Sequence, residues 1–179
     1  MSDNEQDELE RIKNLVVASV ANGANWPRAI HEAGHAIIAL HLGLPLESVN
    51  IEERDTPEGP KFGCATVRPI SESFSANELH EHSVGVIERI RKQLIMLLAA
   101  EAATKLIRQR PYDPLAQFDQ SDIAHTLRHF PELRVEMPEL VDAANQAVSA
   151  RRADIEKLAS TLVERMSLNA DEVRQITGV

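Results

Sequence analysis

The chain has 179 residues, a size that fits one domain with a short appendage and allows a real buried core. It is 43% hydrophobic and 26% charged but only 3% aromatic, so its core must be built from Leu, Ile, Val and Ala, which suits helices. A formal net charge of -9 excludes the basic footprint of a nucleic-acid binder, and a lone cysteine, Cys64, excludes both an internal disulfide and a Cys-rich zinc finger.

In chain order, "DELERIKNLVVASVAN" predicts a first helix with acidic residues early, where they favour the helix dipole. The acidic start "MSDNEQDELE" does not read as a signal peptide, which makes the cytoplasm the expected compartment. Residues 1–24 are expected to be an acidic helical extension and 25–179 the main domain. "NGANWP" breaks the first helix at Gly23; Asn25 can cap a second, with Pro27 tolerated in its first turn. That helix carries "AIHEAGHAIIALHLG" and should stop within residues 42–45. Two β-like runs follow, "LESVNIEE" and "KFGCATVRP", separated by the turn-rich "RDTPEGP"; together they predict a hairpin with a long loop.

"SANE", Ser75 to Glu78, is a capping box that is expected to open a long helix through "VGVIERIRKQLIMLLAAEAATKLI". Its most apolar part is short and interrupted by Glu101 and Lys105, so it reads as a core helix rather than a membrane span. "RQRPYDPLAQF" is a Pro-punctuated loop, and "DQSDIAHTLRHF" a short helix ended by Pro131. "MPELVDAANQAVSARRADIEKLASTLVERM" keeps apolar residues at three-to-four spacing and predicts a second long helix. In "NADEVRQI", Asn169 caps a last helix, with Glu172 three residues on. The predicted fold is mainly α with a small β-hairpin or sheet.

The chemistry concentrates in "HEAGH". His31 and His35 are four apart, so a helix presents both imidazoles on one face, where they can bind one tetrahedral zinc. Glu32 lies about 100° around the helix, beside the metal, which is the position of a general base for the attacking water. Gly34 removes a side chain where substrate or a neighbouring loop would need to approach. The surrounding residues are apolar (Ile30, Ala33, Ala36, Ile37), and uncommitted polar groups there are costly.

One protein ligand is left to find. His41 falls at the last position of the metzincin pattern H-E-x-x-H-x-x-G-x-x-H, but Ile38 stands where that pattern needs a chain-turning glycine. If the helix continues, His41 is about 240° round and roughly 9 Å along the axis from His35, out of reach of the same ion. Glu101 on the later helix and Asp122 in "SDIAHT" remain, and spacing alone leaves both open. His125 and His129 form another i, i+4 pair that reads as surface histidines, while His80 and His82 point to different faces and carry no ligand signal.

"HEAGHAIIALHLG" resembles the zinc-binding helix of the peptidase domain of FtsH-type ATP-dependent membrane proteases. "VNIEERDTPEGPKFGCATVRP" is similar to that family's strand–loop–strand, "LLAAEAATKLI" to its "GGRAAEELI" helix, and "SDIAHT" to its "SNDLxxAT" segment. "ARRADIEKLASTLVERMSLNADEV" is similar to its closing helices, so the likeness runs in order from about residue 28 to 177. The resemblance implies a zincin-like fold and makes Asp122 the third zinc ligand. It also implies an extended peptide bound by strand addition along Gly63, Cys64, Ala65 and Thr66. This sequence departs from the family in having no G-x-x-x-x-G-K-[ST] phosphate loop and no membrane helices; Thr104 and Lys105 replace a glutamate pair, and Ser121 replaces Asn.

These readings lead to a zinc-dependent endopeptidase acting on unfolded or flexible polypeptides, ATP-independent in this chain, with folded proteins as poor substrates. The alternative is a zinc-binding regulatory or adaptor module that docks on a partner protein. The expected partners are an extended peptide and a second copy or separate protein, with no nucleic acid and no membrane span.

Overall fold

Residues 25–56, 59–109 and 116–178 are described by a computed structural model of the chain. The predicted first helix and the extension 1–24 lie outside the described residues. The first described helix, α1 (Asn25–His41), is the centre of the molecule. Trp26, Ala29, Ile30, Ala33 and Ala36 to Ala39 are all buried, so it is covered on several sides rather than along one stripe. It ends where the sequence suggests. Gly43 takes a left-handed φ of 69°, its N–H bonds Leu40 O at 3.0 Å, and Leu44 N–H bonds Ala39 O at 2.8 Å.

Strands β1 (Leu46–Thr56) and β2 (Gly59–Val67) pair antiparallel, from Leu46↔Val67 to Thr56↔Gly59. The pairing takes in most of "RDTPEGP", so the connection is shorter than the long loop expected. A third strand, β3 (Ser167–Asn169), joins the other side of β1 and gives the order β2-β1-β3. Among the described residues this leaves β2 as an edge strand, lying against α1.

The capping box at Ser75 forms, but it opens only the short α2 (Ala76–His80). His82 adopts φ 49°, and the Ser83 side chain then accepts from Val86 N–H to start the long α3 (Val84–Arg108) separately. The left-handed residue and the second cap are the reasons one expected helix becomes two. After α4 (Ala116–His129), the other expected long helix is likewise divided, into α5 (Met137–Ala150) and α6 (Arg152–Arg165). The break is at Arg151, φ -109° and ψ 15°, whose N–H is shared between Ala147 O and Val148 O. The turn lets Val148 of α5 and Ile155, Leu158 and Leu162 of α6 join one core around α1. Asn169 and Glu172 form the expected capping box of α7 (Ala170–Thr177).

Two apolar clusters result. The larger joins α1, the inner sheet face, α6 and the C-terminal half of α3; the smaller gathers Val86, Ile90 and Leu94 of α3 with Leu133 and Leu140. The fold is thus mainly α with a small antiparallel sheet, as its composition suggests. Among the described residues, no helix is long and apolar enough to cross a membrane.

Candidate metal centre

Within α1 three polar residues are buried in otherwise apolar surroundings: His31, Glu32 and His35. The i, i+4 spacing stacks the two imidazoles as expected, with ring centroids 4.8 Å apart and planes at 89°. A carboxylate from α4 faces both. Asp119 Oδ2 lies 3.1 Å from His31 Nε2, and Asp119 Oδ1 lies 3.2 Å from His35 Nε2. One ligand atom from each of the three residues falls within 4.8 Å of the others.

The donor set and its surroundings fit a zinc ion. His35 Nδ1 is 3.0 Å from Met96 O; a carbonyl can only accept, so this nitrogen donates. In the neutral ring that leaves a lone pair on Nε2, the atom facing Asp119, and fixes the ring's orientation from behind. Asp119 Oδ2 is buried and, despite its closeness to His31, has no hydrogen-bond partner among the described residues. A buried carboxylate oxygen without a hydrogen bond costs energy unless something positive satisfies it, and two imidazoles with one carboxylate are a zinc donor set.

The structure brings Asp119, and not the expected Asp122, to the histidines. The two aspartates are one helical turn apart, about 300° in rotation and 4.5 Å in rise, so a single ion cannot treat them alike. Asp119 is buried; Asp122 is exposed on the rim of the same cleft. Helical period carries a signal that singles out Asp119. The inward stripe of α4 runs Ala116, Asp119, Ile123, Leu127, and its last two residues pack on the smaller core cluster, as does Phe130 just past the helix end. Because α4 starts at Ala116 rather than at Asp119, this carboxylate lies inside the helix, on its buried face.

The other candidates lie elsewhere. Glu101 is ion-paired with Lys105, Oε1 to Nζ 2.8 Å, on α3. His41 is exposed at the end of α1, its Nδ1 3.3 Å from an Arg151 guanidinium nitrogen. His125 and His129 are exposed and stack on each other, centroids 4.5 Å apart. His82 meets Glu132 at 3.0 Å and packs on Phe130.

Glu32 sits between the metal-type cluster and the sheet edge. Burial pushes its carboxyl above the usual range, against the pull of the neighbouring imidazoles and of the Ala65 N–H, which donates to it. Gly63 makes this approach possible. Its φ is 81°, and a Cβ there would lie 2.8 Å from Glu32 Oε1 and 2.9 Å from Asn50 O. Opposite Gly63 the register of β1 shifts between Asn50 and Glu53, and Arg28 of α1 donates to Ile51 O at 3.0 Å within that irregular stretch. Neither Asn50 nor Arg28 carries a signal in the sequence that marks it. Gly34 turns out to serve packing and not substrate access: a Cβ would meet Ala103 Cβ at 3.0 Å and Ala100 Cα at 3.1 Å on α3.

A cleft of about 380 Å³ opens over the cluster. One wall is Gly63, Cys64 and Ala65 of β2; Thr66 is not part of it. Met96 and Leu97 form a second side, and Phe118, Ser121 and Asp122 of α4 the third.

The fold and site thus define a mainly helical domain with a buried His-His-Asp group beside an edge strand. No family model matches the chain. Among curated proteins it is 24% identical, over 187 aligned residues, to the ATP-dependent zinc metalloprotease FtsH of Pelodictyon phaeoclathratiforme. The alignment covers 84% of this chain but 27% of that protein, so the chain spans about a quarter of the relative's length.

Proposed function

We propose that the chain is a zinc-dependent endopeptidase that hydrolyses unfolded or flexible polypeptides, with residues 25–179 as its peptidase unit. The observation that carries this reading is the convergence of His31 Nε2, His35 Nε2 and both Asp119 oxygens beside a buried carboxylate, Glu32, at the edge of β2. The distant likeness to a zinc metalloprotease supports it. In this reading His31, His35 and Asp119 hold the ion, Asp119 taking the role that resemblance implies for Asp122.

A bound zinc supplies Lewis acidity to the attacked carbonyl and the attacking water. Glu32 is the general base: it accepts the proton of that water and returns it to the departing amine. Its raised proton affinity suits the second half of this exchange. Substrate lies along β2, whose outer edge is unpaired among the described residues and whose Gly63 to Ala65 border the cleft. Ala65 N–H, now donating to Glu32, is one of the edge groups in reach of an added strand.

The test compares wild type with Glu32→Gln for zinc content and for cleavage of casein. The amide keeps shape and hydrogen bonding but accepts no proton, so zinc should stay while hydrolysis falls about 10²–10⁴-fold. Zinc retained by a wild type that cuts no unfolded protein would instead make the domain a metal-stabilised binding module.

A further inference from the structure

The α4 wall of the cleft has a chemistry that peptide-bond hydrolysis does not use. Phe118 and Asp122 are i and i+4 on that helix, so they share a face, rotated to one side of Asp119. Phe118 is 63% exposed, an unusual state for one of only four phenylalanines in a chain poor in aromatics. Asp122 is exposed beside it, and no hydrogen bond or ion pair engages it among the described residues. Among the described residues that line the cleft there is no lysine or arginine, so they supply no cation to this carboxylate.

We infer that Phe118 and Asp122 form a specificity subsite that favours a lysine or arginine side chain in the peptide held along β2. This rests on the peptide-binding reading above. A ring followed one turn later by a carboxylate matches a side chain with an apolar stem and a cationic head: the stem lies on the ring and the head reaches the carboxylate. A leucine would use only the ring, and a glutamate would meet a like charge. The length of the stem matters as well. In the Glu32→Gln chain used for the test below, a dication balanced by Asp119 alone would leave about one positive charge at the floor of the cleft, so a cationic head would be favoured only on the solvent side, where Asp122 lies. The net charge of -9 also draws basic peptides in general, so local and global effects have to be separated.

The experiment measures binding of fluorescein-labelled decapeptides to the zinc-loaded chain carrying Glu32→Gln. The peptides are built from Ala, Gly and Thr with a single Lys, Leu or Glu at the centre. Lysine should bind tighter than leucine by roughly 3- to 30-fold, the sum of an exposed ion pair and an exposed cation–π contact. Asp122→Asn and Phe118→Ala should each shrink that ratio, and the preference should weaken in high salt. Asp142→Asn, the same charge change on α5 outside the cleft, should leave the ratio intact. A lysine preference that survives both cleft variants, or is lost equally in Asp142→Asn, overturns the subsite. Equal affinity for all three peptides overturns it too while leaving peptide binding standing, whereas no binding by any peptide removes the peptide-binding reading as well.

Discussion

At the scale of single residues, the choice between Asp119 and Asp122 is decided by which face of α4 is buried. A carboxylate can be held against two imidazoles without water only if its helix turns it inward, and Ala116, Ile123 and Leu127 do this for Asp119. We predict that Asp119→Ala abolishes stoichiometric zinc binding, measured as metal content after gel filtration. The loss should exceed the roughly 10–100-fold typical of residues that merely orient ligands. Asp122→Ala and Glu101→Ala should keep the ion, the latter because Glu101 is engaged with Lys105. Zinc lost with Asp122 but kept without Asp119 would return the third ligand to the position the family resemblance implies.

At the scale of elements, the close crossing of α1 and α3 holds the histidines over their support. Gly34 lets the α3 backbone come near, and the same approach puts Met96 O behind His35. Gly34→Ala forces a methyl against Ala100 Cα and Ala103 Cβ, and backbone can yield only by moving the helix. Overpacking of this kind costs about 1–3 kcal/mol. Chemical denaturation should register that loss, and zinc affinity should fall with it because the Met96 carbonyl is carried away from His35. A variant with unchanged stability and unchanged zinc affinity would show that the two helices separate without consequence for the site.

On the scale of the whole molecule, the candidate metal site ties together parts distant in sequence. Its proposed ligands come from α1 and α4, and α1 is the element around which the larger core is built. Zinc should therefore act as a folding ligand. At free zinc about 100 times its Kd, linkage adds about 2.7 kcal/mol, provided the unfolded chain binds it weakly. For a chain of this size that is a rise in Tm of roughly 5–10 °C. Calorimetry of chelator-treated protein before and after adding zinc would read it. Asp119→Ala should show no such rise, and a zinc-independent Tm in the wild type would argue against an ion at this cluster.

The sequence by itself determined the local features: the helix bearing His31, Glu32 and His35, its end near Gly43, the capping boxes at Ser75 and Asn169, and a mainly helical class. These depend on residues within one or two turns of each other, so periodicity and cap chemistry suffice to read them. The segment Gly63 to Thr66 was also legible as β, though only the sheet order makes β2 an edge. Tertiary structure decided the rest. The third carboxylate comes from a helix more than eighty residues beyond the histidines, and local spacing cannot say which face of it docks. The chain breaks at His82 with a left-handed residue followed by a fresh Ser83 cap, and at Arg151 with a turn that brings Val148 and Ile155 into one core; the apolar periodicity runs through both positions and does not mark them. Gly34 and Gly63 look alike as small residues near a motif. One admits a helix and the other admits Glu32, and only the packing of distant elements distinguishes them.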